Sequence, residues 1–143
     1  MAKITKHHLD FENEIDYDLI GICSHVGDYR LVWSMNELLN LNLVKSNDDF
    51  KMTNKKGVLS SQHPYYFMSH ESERYELYLI KNKNEGKFLI PEKQQIDYFL
   101  FICNNLIIEI DDWVDQLRTI PSVVAAYAFD PAELSSTEQI IFE

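Results

Sequence analysis

The chain has 143 residues, 45% of them hydrophobic and 25% charged, with 13 Lys and Arg against 23 Asp and Glu. That length suits one domain able to bury about two-thirds of its unfolded surface without disulfide or metal staples. Four Gly, four Pro and 13% aromatics exclude a collagenous or disordered chain, and a net charge of −10 argues against free DNA or RNA as a partner, because phosphates would be repelled.

The first eight residues carry Lys3 and Lys6 with no apolar stretch behind them, and Asp10, Glu12, Glu14, Asp16 and Asp18 follow, so no secretory signal is read there. The run 99–103 (Phe-Leu-Phe-Ile-Cys) is far short of the about 20 apolar residues a spanning helix needs. Cys23 and Cys103 lie inside apolar runs and read as buried free thiols. The expected location is the cytoplasm, with no membrane contact.

In chain order, residues 19–25 read as a short apolar strand broken by Gly27 and Asp28. Asp28 is suited to cap a helix in which Leu31, Met35, Leu38 and Leu39 share one face, ending near Asn40. Residues 41–45 turn into the next strand. Turn signals at residues 54–57 and 83–86 bracket two aromatic, β-branched stretches, 65–68 and 75–80, joined by the polar turn 69–74. An antiparallel meander is expected there.

The last third repeats the opening grammar. Residues 96–103 read as a strand, and a helix follows with Ile110, Trp113, Val114 and Leu117 on one face. Glu109, Asp111 and Asp112 in its first turn and Arg118 near its end suit the helix dipole, Pro121 stops it, and residues 123–129 form a closing strand. Two strand–helix–strand units with hairpins between them predict an α+β fold: a mostly antiparallel sheet with two helices on one face, ferredoxin-like, with extra hairpin strands. Residues 1–130 would form this domain and 131–143 a C-terminal tail, acidic and apolar.

Ile90-Pro91-Glu92-Lys93-Gln94-Gln95-Ile96-Asp97-Tyr98 reads I-P-E-x-x-x-I-D-Y. This segment resembles the hallmark of the IPExxxVDY family of small bacterial proteins, with Ile96 in place of the usual Val. The likeness extends to Asp28-Tyr29-Arg30-Leu31, to Ile120-Pro121-Ser122-Val123 with Ala125-Ala126-Tyr127, and to Asp130-Pro131. The family name describes a pattern and implies no activity, substrate, cofactor or catalytic residue.

Read physically, Pro91 ends a strand at residues 88–90. If residues 96–103 alternate regularly, Ile96, Tyr98, Leu100 and Ile102 face one side and Asp97, Phe99, Phe101 and Cys103 the other. Both sides are then largely apolar with Asp97 the exception. A carboxylate beside a core needs a cation or backbone donors, and Arg30 at the start of the first helix is the expected ion-pair partner.

His7, His8, Cys23, His25, His63 and His70 show no metal-ligand spacing. Ser60-Ser61 and Ser135-Ser136 lie in polar stretches away from any base, and the glycines form no phosphate cradle. Neither cofactor, metal nor catalytic residue is expected. The opening strand–turn–helix–strand resembles the ligand-binding half of ACT-type regulatory domains, although it lacks their D-x-x-G-L order. That resemblance implies a ligand turn at Ser24, His25, Gly27 and Asp28. The tail ends in Ile140, Ile141 and Phe142, which could fold back on the sheet or dock on a partner or a second copy. Residues 92–143 hold 10 acids and 2 bases, which would steer a basic protein toward this half. The expected function is a non-catalytic protein-interaction module, with small-molecule sensing as the alternative.

Overall fold

The computed structural model describes residues 16–142. Strand β1 (Tyr17–Ser24) leads into helix α1 (Asp28–Leu39), followed by the short β2 (Val44–Lys45) and a hairpin of β3 (Phe50–Thr53) and β4 (Leu59–His63). Strands β5 (Tyr65–Ser69) and β6 (Glu76–Lys81) come next, then a small hairpin of β7 (Lys83–Asn84) and β8 (Lys87–Phe88). A 3₁₀ turn at Pro91–Lys93 precedes β9 (Tyr98–Cys103), α2 (Ile110–Leu117) and β10 (Val123–Phe129).

The main sheet has six strands in the order β10-β1-β9-β6-β5-β2, every neighbouring pair antiparallel. Strands β1 and β6 therefore run parallel on either side of β9, and β9 and β10 on either side of β1. This is the split β-α-β arrangement of an α+β, ferredoxin-like fold, extended at one edge by β5 and β2.

The helices share one face. Leu31, Val32 and Met35 of α1 and Val114 and Leu117 of α2 pack with Ile20, Ile22, Leu77, Leu79, Leu100 and Ile102. Leu38, expected in this core, is exposed, and Leu39 packs against the core instead. Gly27 rather than Asp28 occupies the N-cap position of α1. Asp28 is the first helical residue, and its carboxylate accepts the N–H of Tyr29 at 2.7 Å. Asn36 closes the other end: its Oδ1 accepts Leu43 N–H and its Nδ2 donates to Leu43 O, which leaves only two residues of the expected 41–45 strand paired.

The opposite face carries a second core of Leu19, Ile80, Phe99, Phe101 and Cys103, covered by Met52, Leu89, Ile90, Ile96, Leu134 and Ile140. Every residue of β9 is buried, as its apolar character on both sides requires. The regular alternation expected from residue 96 does not hold. The strand begins at Tyr98, the chain bends at Asp97, and Ile96 joins Phe99 and Phe101 in the second core instead of Tyr98 and Leu100 in the first.

The tail belongs to the second core. Leu134 and Ile140 are buried, and Phe142 stacks on Tyr78 at 4.1 Å between centroids, with Phe101 and Tyr17 edges beside it. Of the three tail residues considered for partner docking, Ile140 and Phe142 are occupied within the chain, and Ile141 alone is exposed. Residues 131–142 thus complete the domain.

Gly21 faces the second core. A Cβ at this position would come within 2.5 Å of the Phe129 ring and 3.2 Å of Ile96. Gly21→Ala is expected to lower stability by about 1–3 kcal/mol through overpacking, read from the midpoint of a chemical denaturation curve.

Candidate functional site

The chain after β6 is held by one side chain. Asn82 is fully buried, its Nδ2 donates to Lys93 O at 2.9 Å and Ile96 O at 2.8 Å, and its Oδ1 accepts Ile90 N–H at 3.0 Å. Its backbone adds two bonds, N–H to Asp97 O and C=O from Leu89 N–H. The I-P-E-K-Q-Q-I-D-Y segment is therefore wrapped around Asn82.

Within that segment each marked residue has a place. Ile90 and Ile96 are buried in the second core, and Pro91 opens the 3₁₀ turn. The Glu92 carboxylate reaches the tail, accepting from Ser135 Oγ, Ser136 Oγ and Ser136 N–H. Both serines thus turn to Glu92. Burial works to raise the Glu92 pKa, but the bonds from Ser136 and Ser135 outweigh it and hold the carboxyl below its ordinary value.

Asp97 and Arg30 form no ion pair; both are exposed, and the one salt bridge among the described residues joins Arg118 to Asp115. The bend at Asp97 carries its carboxylate to the end of β1. There Oδ2 accepts Ser24 N–H at 2.9 Å, while Asp97 N–H donates to Ile22 O at 3.0 Å. The donor is backbone because β1 and β10 lose register between Cys23 and Ser24, freeing an amide at the strand end.

Beyond this contact lies an open cleft of about 630 Å³. Ser24, His25 and Val26 form one wall, Gln94, Ile96, Asp97 and Tyr98 another, and Lys81, Lys83, Asn84, Glu85 and Phe88 the third. The two segments singled out in the sequence thus meet in one place. Ser24 and His25 line the cleft, whereas Gly27 and Asp28 are used by the start of α1. Ser24 Oγ and Val26 exchange hydrogen bonds and His25 N–H donates to Ser122 O, so the turn is locally held. Burial, followed by the charges of Asp28 and Asp97, pushes the Tyr98 phenol up to about 12, so it remains protonated at neutral pH.

Asn82, Lys81, Lys83 and Phe88 were not marked by sequence. Asn82 stands in a Lys-Asn-Lys-Asn run that reads as an ordinary polar turn, and only its 0% exposure reveals its role.

Both thiols are shifted toward their protonated forms. Cys23 Sγ donates to Gln95 O, and burial followed by Asp97 raises its pKa. Burial and then Glu76 push Cys103 up to about 12. His25 lies beyond the end of β1, off the strand it was expected to share with Cys23. Among the described residues no three His, Cys, Asp or Glu side chains gather as a metal site, and His7 and His8 lie outside those residues. No helix among the described residues is long and apolar enough to cross a membrane. Searches against models of known protein families and against curated protein sequences return no match.

Asn82→Ala would leave the Ile90 amide and the Lys93 and Ile96 carbonyls without their partner. A loss of about 2–4 kcal/mol is expected in equilibrium unfolding. Asn82→Asp should not rescue it, because a carboxylate donates nothing to the two carbonyls. The Glu92 shift gives a pH dependence. Its folded pKa is below the ordinary value of 4.5, so its contribution is fully present above 4.5 and lost as pH falls through the lower folded value. Acidification should loosen the tail, seen as a change in near-ultraviolet dichroism from the Tyr17, Tyr78 and Phe142 cluster, and Glu92→Gln should flatten that limb.

Proposed function

We propose that the chain works by binding another protein through its helical layer. The observation that supports this is on α1, where Tyr29 and Trp33 stand one turn apart at 73% and 62% exposure. Aromatics of this size are the side chains that most often anchor protein interfaces, and they favour burial when a partner is present. In the same layer, α2 and its cap present Glu109, Asp111, Asp112 and Asp115 to solvent, with Leu106 and Ile107 exposed just before it. An apolar anchor beside a row of carboxylates suits a basic protein segment, steered by charge and held by the rings. This reading moves the partner face away from the tail, whose apolar side chains are used internally, and keeps the acidic C-terminal half. It takes the chain to be a cytoplasmic member of the IPExxxVDY family, on the strength of the sequence resemblance.

A second reading, a small-molecule site, is favoured by the cleft that joins Ser24 and His25 to Asp97 and Tyr98.

A photo-crosslinker placed at Tyr29 should capture the same proteins from native lysate in repeated preparations, and Trp33→Glu should abolish that capture with thermal unfolding unchanged. Capture should also fall as salt rises. An identical captured set with Trp33→Glu would overturn the helical-layer reading, and capture of this chain alone would mark self-association instead.

A further inference from the structure

The six-stranded sheet ends differently at its two edges. At one, β2 is two residues long and carries Lys45, the short and charged kind of edge that resists strand addition. At the other, β10 runs for seven residues with no charge, proline or glycine among them. Two contacts show which way its peptide groups point. Ile22 O accepts Asp97 N–H and so faces β9, and Ala126, opposite Ile22 in β10, turns its own peptide groups away from β1. Arg118 agrees with this, since its guanidinium reaches Ala126 O from outside the sheet at 2.8 and 3.1 Å. Ala128 shares the outward orientation by alternation. Among the described residues Ala126 N–H and the N–H and C=O of Ala128 have no partner. Val124 and Tyr127 add exposed apolar side chains along the same strand.

The chain on either side of this edge is acidic. Residues 109–133, from the cap of α2 to the turn after β10, hold Glu109, Asp111, Asp112, Asp115, Asp130 and Glu133 against Arg118 alone, and all these carboxylates are exposed. Arg118 is engaged by Asp115 and by Ala126 O, and the Lys93 ammonium by the Phe129 ring. We propose that β10 takes up an extended segment of a basic protein as a seventh strand of the six-stranded sheet. Backbone bonds to Ala126 and Ala128 hold that segment, Val124 and Tyr127 give its apolar side chains a surface, and the carboxylates meet its Lys and Arg residues. A second copy of this chain fits the edge poorly, because it would bring a further charge of −10 and the same carboxylates to it. The proposal rests on the reading of a basic protein partner above. It adds the form of that partner and a contact on the sheet edge rather than on α1.

The probe is a short peptide of alternating Val and Lys, added to the full isotope-labelled chain and followed by amide chemical shifts and hydrogen exchange. In the free chain the Ala126 and Ala128 amides should exchange fast; with the peptide both should shift and become protected. The same peptide with Glu in place of Lys should not bind. A fully N-methylated Val–Lys peptide keeps the charge but cannot pair as a strand, and should bind at least about tenfold more weakly. Ala128→Pro removes an outward N–H and leaves the ladder to β1 intact, so it should cause a similar loss with thermal unfolding unchanged. Should that variant not fold, the N-methylated peptide decides the matter. Slow exchange of Ala126 and Ala128 in the free chain would show the edge already covered, by the chain itself or by a second copy, and would overturn the proposal. Equal binding of the N-methylated or the Glu peptide would overturn it too, as would absence of protection at these two amides at every peptide concentration. Shifts confined to α1 and α2 would overturn the edge and leave the helical-layer reading standing. Trp33→Glu, which tests that reading, should not alter protection at β10, so the two can fail separately.

Discussion

Asn82 sits at the end of β6 with no exposed surface, and its amide bridges three backbone groups that lie eight to fourteen residues further along the chain. A buried amide is costly unless its donors and acceptor are met, and each of the bridged peptide groups would be costly in turn if the amide were removed. The interaction is therefore cooperative. It sets the path of residues 89–97, and that path decides where three other things happen. Ile90 and Ile96 enter the second core, Glu92 is aimed at the tail, and Asp97 reaches the end of β1.

The second core depends on that path. The helices cover only one face of the sheet, and β9 is apolar on both. Without a cover, Phe99 and Phe101 would face water. The β3–β4 hairpin, the Asn82-bound loop and the C-terminal segment supply it, and the Glu92 contacts to Ser135 and Ser136 hold the last of these in place. The exposed carboxylate contributes modestly by itself; its effect is to fix the approach of a segment whose Leu134, Ile140 and Phe142 bury substantial apolar area.

Charge is distributed in a way that net values conceal. The chain carries −10 overall, yet Lys81, Lys83, Lys87 and Lys93 fall within thirteen residues around the cleft. Lys87 reaches the Ser60 carbonyl and Lys93 lies over the Phe129 ring at 5.2 Å, so these two serve local structure. Lys81 and Lys83 line the cleft, and Lys83 also lies 5.8 Å from the Phe88 ring centroid. The helical layer is by contrast acidic at α2 and aromatic at α1.

Helices α1 and α2, strand β10 from Val123 to Phe129 and the antiparallel meander were legible in the sequence because they rest on local rules: apolar periods of 3.6 and 2, proline stops and turn residues. The I-P-E-x-x-x-I-D-Y segment stood out too, though its work did not. An Asn within a Lys-rich turn looks like any solvated polar residue, and only the fold reveals that its amide is buried among carbonyls from the following loop. The expected pairing of Asp97 with Arg30 fails because the chain bends at Asp97 and a backbone amide at a bulge in β1 meets the carboxylate instead. Local sequence alone thus determined the two helices, the meander, the closing strand and the apolar character of β9 on both faces. Tertiary structure decided what covers the second face, where each charge points and which segments share a cleft, because those outcomes depend on long-range hydrogen bonds whose partners are fixed only once the sheet has formed.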